Sequence, residues 1–298
     1  MYPEYPYIGY KEEIKKIPLT FPKQHQNKQP GIESIMSPEP IFDNPNVPTG
    51  DKLTGKVAII TGGDSGIGRA VAILFAKQGA DIAIVYLDED DDAYITKQNV
   101  ENYGRKCITI KGDLRNEDFS RVVVENVLTE LGKIDILVNN CGYQMPQDSI
   151  LDITKEQLLR TFETNVFSFF YLTKAVLPLL KAGSCIINTS SINSFHGNKT
   201  LIDYSATKGA ITAFTKSMAQ NLADKKIRVN EVAPGPIWTP LIPASFSKEE
   251  VEIFGNDVLL KRAGQPFEVA PAYLYLACND DSNYVTGQTI HVNGGNII

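Results

Sequence analysis

One stretch narrows the folding options more than any other: Thr61-Gly62-Gly63-Asp64-Ser65-Gly66-Ile67-Gly68-Arg69, set between a short β-branched run and a helical pattern. Val57–Thr61 reads as a buried strand. Beyond the turn, Ala70, Ile73, Leu74 and Ala76 recur at helical spacing, and Gly79 closes the run. A chain passing from strand to helix through glycines presents backbone N–H groups at a helix N-terminus, where partial positive charge gathers. Gly62, Gly66 and Gly68 supply the turn, the close backbone approach and tight helix–strand packing. A glycine cluster alone is equally a tight structural turn. Between the first strand and first helix of a βαβ unit, the G-x-x-x-G-x-G spacing predicts a pyrophosphate cradle for a dinucleotide.

The same alternation continues along the chain. Further strands are predicted at Ile82–Tyr86, Cys107–Lys111, Ile134–Asn139, Cys185–Thr189, Ile227–Val232 and Thr289–Val292, with helix-length patterns between the first six. Runs such as AIIT, IAIV, DILVNN and CIINTS are apolar throughout, the mark of strands buried on both faces. Right-handed βαβ crossovers then build an α/β fold: a doubly wound, seven-stranded parallel sheet flanked by helices, one domain over residues 51–298. Residues 1–50 differ. They hold nine of the seventeen prolines (Pro3, Pro6, Pro18, Pro22, Pro30, Pro38, Pro40, Pro45 and Pro48). Proline fixes φ and removes a donor, so no long helix or central strand crosses this segment. Tyr2, Tyr5, Tyr7, Tyr10, Phe21 and Phe42 suit anchoring, and an extended N-terminal arm packed on the body or on a neighbouring subunit is expected.

Composition excludes several classes. A net charge of −6 is the wrong sign for the basic stripe of a nucleic-acid surface. No apolar run approaches the roughly 18 residues of a membrane span, and the N-terminus shows no basic-then-apolar secretory pattern. Cys107, Cys141, Cys185 and Cys278 are widely spaced, with no CxxC and no nearby histidine pairs. Neither a disulfide frame nor a metal site is expected, and reduced thiols suit a cytoplasmic protein.

About 20 positions past such a turn, an acid commonly bonds the ribose 2′-hydroxyl of NAD. Tyr86 and Leu87 stand there instead, followed by Asp88-Glu89-Asp90-Asp91-Asp92. No lysine or arginine occupies Ser65 or Leu87 to meet a 2′-phosphate, and five acids would repel that dianion. NAD is therefore favoured over NADP, although the acid run reads equally as a solvated helix start. Asp113, just past the third strand, suits the adenine amino group or a helix cap.

Tyr204 and Lys208 stand one helical turn apart in Y-S-A-T-K. A tyrosine with its ordinary pKa near 10 is a poor base at neutral pH. An ammonium one turn away, with a cationic nicotinamide nearby, is expected to favour the phenolate and lower that value. Tyr204 would then exchange a proton with an alcohol or carbonyl oxygen, Lys208 would also hold ribose hydroxyls, and Ser191 would donate to the substrate oxygen. Y-x-x-x-K by itself carries little, since about one chance match is expected in a chain with 13 tyrosines. Tyr7 and Lys11 are such a match, caught between Pro6 and Pro18.

From about Leu53 to its end, the chain resembles the short-chain dehydrogenases/reductases. The matching motifs are T-G-G-D-S-G-I-G at 61–68, G-D at 112–113, N-N-C-G at 139–142, N-V at 165–166 and S-S at 190–191. They continue with Y-S-A-T-K at 204–208, R-V-N at 228–230, P-G-P-I-W-T at 234–239 and V-N-G-G at 292–295. The resemblance implies a Rossmann-type fold and a Ser–Tyr–Lys triad extended by an asparagine. The family's serine lies thirteen residues before the tyrosine, which selects Ser191 over Ser190. The asparagine falls on Asn165, expected to kink its helix and hold a water linking Lys208 to solvent; a helix cap there is compatible with that role. Asn139 would brace the strands.

By the same resemblance, the cofactor would run along Gly62, Asp64, Ser65, Gly66, Ile67 and Gly68, then Tyr86, Leu87, Asp113 and Leu114. It would continue past Asn140, Cys141 and Gly142, Tyr204 and Lys208, to Pro234, Gly235, Ile237 and Thr239, with the last two at the nicotinamide carboxamide. Cys141 replaces the family's usual alanine, implying slight crowding of the cofactor, with a redox-sensing thiol as the alternative. The arm and the Y-L-D-E-D-D-D-A segment resemble a bacterial subgroup of general-stress and aldehyde-reductase-like oxidoreductases.

A small alcohol or carbonyl substrate would sit between Tyr143–Gln147, Asn193–Asp203 and the stretch from Trp238 to about Asp257. Trp238, Leu241, Ile242 and Phe246 read there as an apolar lid or as plain core. His196 is a substrate contact or a structural histidine. The apolar runs Val166–Leu180 and Ala210–Leu222 suggest burial against another subunit, and the family resemblance implies a homotetramer, a dimer of dimers. The favoured function is an NAD(P)-dependent alcohol/carbonyl oxidoreductase. A non-catalytic dinucleotide sensor and an interaction scaffold are the alternatives. Asn165, Ser191, Tyr204 and Lys208 together argue against both, because a sensor has no need of a proton relay.

Overall fold

In the computed structural model, which describes residues 21–296, β1 (Val57–Thr61) is buried at every position. Successive side chains on a strand face opposite sides. Ala58 and Ile60 therefore join one hydrophobic cluster, and Val57 and Ile59 another. A strand with no wet face has no place for alternating polar residues, which is why VAIIT is apolar throughout.

α1 (Gly66–Lys77), β2 (Asp81–Tyr86), α2 (Asp90–Glu101), β3 (Cys107–Lys111) and α3 (Glu117–Leu131) follow β1. Next come β4 (Ile136–Asn139), α4 (Lys155–Phe162), α5 (Ser168–Val176), β5 (Cys185–Thr189), the short α6 (Asn193–His196) and α7 (Ile202–Leu222). β6 (Arg228–Pro234), α8 (Lys248–Glu252), α9 (Pro266–Ala277), α10 (Asn279–Ser282) and β7 (Thr289–Val292) complete the order. All seven expected strands are present. β4 starts two residues later than the sequence suggested, and β6 runs on to Pro234. They form one parallel sheet in the order β3-β2-β1-β4-β5-β6-β7.

Two helical layers cover the sheet. α1 and α9 pack on one face through Val71, Phe75, Tyr273 and Leu276. α3, α5 and α7 pack on the other through Val123, Val127, Leu172, Val176 and Leu222. Each such side chain contributes about 1.5–3 kcal/mol by leaving water. The strand order reverses between β1 and β4, whose register runs from Ala58↔Ile136 to Ile60↔Val138. Crossovers diverge there, and a crevice opens beyond the strands' carboxyl ends. Asn139 braces the sheet as expected, its amide donating to Asn188 Oδ1 at 2.9 Å.

Local signals explain the helix ends. Asn116, not Asp113, caps α3 by accepting from Asp118 N–H, and Gly132 ends that helix in the left-handed region. The expected Val166–Leu180 helix is divided: a π turn at Glu163–Phe167, then α5, then a 3₁₀ turn at Leu177–Leu179. Phe167 and Phe170 are exposed there, although the Phe170 ring meets Phe214 at 4.4 Å between centroids. No described helix is long and apolar enough to cross a membrane.

Residues 21–50 lie on their own protomer's body. Phe21 stacks on Trp238 with ring centroids 3.8 Å apart, and Trp238 Nε1 donates to the Pro38 carbonyl at 2.8 Å. Ile41 N–H donates to Gln265 Oε1 at 2.7 Å, while Asp43 pairs with Lys77 at 2.5 Å. The aromatics before Phe21, and the Tyr7–Lys11 match, lie outside the described residues.

Candidate active site

A crevice of about 660 Å³ opens along the strand-order reversal. Of the expected cofactor residues, all but Gly68 line it: Gly62, Asp64, Ser65, Gly66, Ile67, Tyr86, Leu87, Asp113, Leu114, Asn140, Cys141, Gly142, Tyr204, Lys208, Pro234, Gly235, Ile237 and Thr239. Gly68 serves packing instead, since a Cβ there would overlap the Gly62 carbonyl oxygen. Gly66 has φ +52°, and a Cβ would sit 3.0 Å from Thr239 Cγ2. Both positions tolerate only a bare backbone. Bare backbone at the start of α1 thus borders the open crevice, an arrangement that fits a dinucleotide's diphosphate.

Several wall residues are already committed. Asn140 lends its amide to Thr61 and Gly62 carbonyls at 3.0 and 3.3 Å, clasping the strand ends together. Asp113 is gripped by Arg115, with contacts down to 2.6 Å, which holds its carboxyl below the usual range. The Tyr86 hydroxyl donates to Asp90 at 2.8 Å. Burial pushes the Cys141 thiol up, so it stays a thiol, against the redox-sensing alternative.

The acid run does start a helix, with Asp90, Asp91 and Asp92 in the first turn of α2, but it is not uniformly solvated. Asp92 is buried and pairs with Arg69 at 3.2 Å, and Arg69 also pairs with Glu33 of the arm at 2.5 Å. Burial raises three acids around the turn: Asp64 to about 6, Glu33 to about 7 and Glu89 to about 8. Sequence reasoning missed Glu33, because nothing in an aperiodic, proline-rich segment marks a buried acid.

The second constellation gathers where β5 meets α7. Ser191 follows the end of β5, and its hydroxyl hydrogen bonds with Tyr204. Ser190 points elsewhere, donating to the Val232 carbonyl at 3.3 Å, which supports the choice of Ser191. One turn along α7, Lys208 is buried and its Nζ donates to the Thr189 carbonyl at 2.9 Å. That ammonium sits 5.4 Å from the Tyr204 ring centroid.

Lys208 by itself does not acidify the phenol. Burial pushes Tyr204 up to about 12, with only the Ser191 hydrogen bond acting against it. Burial also brings Lys208 down to about 8. Removing both groups from water favours their neutral forms, and this outweighs the benefit each would draw from the other's charge. Tyr204 is therefore held as a proton donor.

Asn165 lies in the π turn, fully buried behind the crevice wall and not at a helix cap. Its Oδ1 accepts from Tyr143 N–H at 2.7 Å. Its Nδ2 donates to the Tyr143 carbonyl at 2.8 Å and to Thr207 Oγ1 at 3.0 Å. The extra residue of a π turn is what swings this side chain out of the helix ladder. Asn165 thereby ties the loop after β4 to the helix that carries Tyr204 and Lys208.

The expected substrate segments divide. Tyr143, Gln144, Asn193, His196, Asn198, Leu241, Ile242 and Phe246 line the crevice. Trp238 is core, enclosed by the arm. The His196 ring is held against the Gly197 carbonyl. Gln29, Pro30 and Gly31 also line the crevice, which the sequence did not suggest. Among the described residues, no three His, Cys, Asp or Glu side chains converge as metal ligands.

Fold and site together define a Rossmann-type oxidoreductase, and comparison with known proteins agrees. A family model described as "Enoyl-(Acyl carrier protein) reductase" matches residues 62–296. The chain is 63% identical to "Uncharacterized oxidoreductase YhxC" of Bacillus subtilis (strain 168), covering 94% of this chain and 97% of that protein. It is 50% identical to "NADPH-dependent aldehyde reductase 1, chloroplastic" of Arabidopsis thaliana, covering 93% and 98%. It is 48% identical to "Glucose and ribitol dehydrogenase" of Daucus carota, covering 93% and 97%.

Among solved structures, a short-chain dehydrogenase from Burkholderia cenocepacia J2315 in complex with NADP superposes with TM-score 0.77. That pair shares 29% identity over 82% of this chain and 99% of the other. A 3-ketoacyl-(acyl-carrier-protein) reductase from Brucella melitensis complexed with NADH gives TM-score 0.74 at 29% identity, covering 83% and 100%. The chain belongs to the short-chain dehydrogenase/reductase family. It is an NAD(P)-dependent oxidoreductase interconverting CH–OH and C=O groups.

Proposed function

We propose that the protein reduces small polar aldehydes or ketones, and oxidises the matching alcohols, with Tyr204 as general acid/base. The observation that carries this reading is the contact between the Ser191 and Tyr204 hydroxyls at the crevice wall, with buried Lys208 one turn below. Ser191 donates to the substrate oxygen and orients it. Tyr204, a protonated phenol, gives its proton to that oxygen as the carbonyl is reduced, and takes it back in the reverse direction. Lys208 stabilises negative charge developing on Tyr204 and has a second donor free for ribose hydroxyls. Asn165 holds the Tyr143 loop, keeping the wall at fixed distance from Tyr204. A bound nicotinamide would supply or accept the hydride. The glycine turn would hold its diphosphate, and Ile237 with Thr239 its carboxamide end.

The substrate reading rests on mixed lining: Gln144, Asn193 and Asn198 offer polar contacts, while Leu241, Ile242 and Phe246 exclude water. Relatives named for aldehydes and for glucose and ribitol favour aldehydes and polyols. NAD is the proposed cofactor. Asp64, still mostly ionised at neutral pH, lines the adenosine end, where a 2′-phosphate dianion would meet it. Exposed Phe167 and Phe170 favour a homotetramer, and four free cysteines suit a reducing cytoplasm. Residues 1–50 form the arm and 51–298 the catalytic domain.

The test follows absorbance of the reduced nicotinamide against a panel of aldehydes, ketones and polyols with both cofactors. Tyr204→Phe is expected to lower turnover roughly 10²–10⁴-fold while dinucleotide binding persists. Unchanged turnover in that variant would remove the mechanism. A lower KM for NADPH than for NADH would reverse the cofactor assignment.

A further inference from the structure

We propose that arm residues Gln29–Glu33 are a working wall of the dinucleotide crevice, with Glu33 a positioning residue for the glycine-rich turn. The inference rests on the reading that this crevice takes a nicotinamide dinucleotide.

Three contacts within five residues carry it. First, Glu33 is buried, and its Oε2 accepts from Gly66 N–H at 2.6 Å. Ser65, the residue before α1, makes no side-chain cap, so an orphan donor of the helix is met from the arm instead. The other oxygen pairs with Arg69 at 2.5 Å, and Arg69 in turn bonds the Asp64 carbonyl at 2.9 Å. One carboxylate therefore fixes both ends of the Gly66–Arg69 turn. Glu33 N–H donates to Asp92 at 2.8 Å, which locks the arm itself.

Second, Gly31 passes so close to the opposite wall that a Cβ would overlap the Pro240 carbonyl oxygen. Third, Gln29 Nε2 donates to the Gln144 carbonyl at 2.8 Å, and Gln144 Nε2 donates to Ser245 at 2.8 Å. The arm thus touches the cofactor turn and two of the three substrate segments at once, while its own residues 29–31 face the crevice. An arm that served only to stabilise the fold would have no reason to reach all three.

Glu33 does not touch the reacting atoms. It acts through Gly66 and Arg69 on the geometry of the amides that meet the diphosphate. Its loss should therefore weaken dinucleotide affinity more than it slows the chemistry. The glycine turn would relax, since Gly66 holds a positive φ that the Glu33 hydrogen bond secures.

The experiment titrates NADH and NADPH by calorimetry into the full chain and into the variants Glu33→Gln and Gly31→Ala, with steady-state kinetics and melting curves beside it. For Glu33→Gln, the Kd for dinucleotide is expected to rise about tenfold, the scale of one charge-assisted hydrogen bond. KM for the dinucleotide should rise in parallel, by a larger factor than KM for the carbonyl or the fall in kcat at saturating dinucleotide. A lowered melting point with unchanged Kd would make Glu33 a merely structural ion pair and overturn the proposal. If Glu33→Gln fails to fold, Gly31→Ala decides: raised Kd and KM support the wall, normal values refute it. If the unaltered protein binds neither dinucleotide, the proposed function falls with it; normal binding with indifferent variants sinks the arm's role alone.

Discussion

Replacing Lys208 with methionine should stabilise the protein and abolish its activity. The ammonium is buried, and burial brings its pKa from 10.5 to about 8. At 1.36 kcal/mol per pKa unit, keeping the charge there costs the native state about 3 kcal/mol at neutral pH. The one hydrogen bond lost, to the Thr189 carbonyl at 2.9 Å, returns about 1 kcal/mol to the other side. Methionine has similar length and packs adaptably, so the net gain is about 2 kcal/mol, or roughly 4–8 °C in Tm. Turnover should fall roughly 10²–10⁴-fold, because Tyr204 loses the cation beside it. The pH dependence separates this cause from better packing. Lysine's folded pKa is depressed, so its penalty is complete below about 8, fades as pH rises towards 10.5 and is gone above that. Melting curves across that range should show the variant's advantage shrinking through zero, leaving it about 1 kcal/mol less stable once only the lost hydrogen bond counts. A variant less stable than the parent at neutral pH, or an advantage independent of pH, would refute the claim that charge burial dominates at Lys208.

Two further outcomes follow from the same site and from the arm. Carbonyl reduction needs protonated Tyr204, held up to about 12, and charged Lys208, held down to about 8. Its kcat/KM should therefore stay level below about pH 8 and fall above it, while alcohol oxidation, which needs the phenolate, should rise with pH. A reductive profile level to about pH 10 would show that Lys208 does not titrate in that range. In the arm, Phe21→Ala removes the ring stacked at 3.8 Å on Trp238, the only tryptophan in the chain. Its emission should shift to the red and the arm become open to proteases; an unshifted spectrum would mean that the stack contributes nothing to docking.

What the sequence makes legible here is whatever depends on local pattern. β1 and β5 are apolar throughout because both faces are buried, so their positions could be read to the residue. The glycine turn and the Tyr204–Lys208 pair depend on spacing within a few residues, and the structure brings both to one crevice. Quantities set by long-range burial were not legible. The pKa of Tyr204 follows from how deeply α7 sits, not from the lysine one turn away. Asp92 resembles its exposed neighbour Asp91 in every local respect, and only distant partners, Arg69 on α1 and Glu33 N–H in the arm, distinguish it. Trp238 could be read as lid or core until the arm was seen to cover it.

The arm shows why such failures collect in one place. Glu33, Arg69 and Asp92 come from three segments, and each is unremarkable alone: an acid in a proline-rich stretch, an arginine after a glycine turn, an acid in an acid run. With both carboxyls ionised they would leave one net negative charge in a buried site, where an isolated ion is strongly disfavoured, which is why burial holds Glu33 up to about 7. Gly66 N–H and the partial positive charge at the start of α1 compensate that excess. The same positive charge is what attracts a diphosphate to a helix N-terminus. A carboxylate on the Gly66 amide therefore does two opposed things: it orders the turn, and it takes up part of the field that a bound diphosphate would use. Which effect dominates is decided by the sign of the affinity change when Glu33 loses its charge. Ordering predicts weaker binding and field competition predicts tighter binding. The two-sided grip of Glu33 on Gly66 and Arg69 favours ordering.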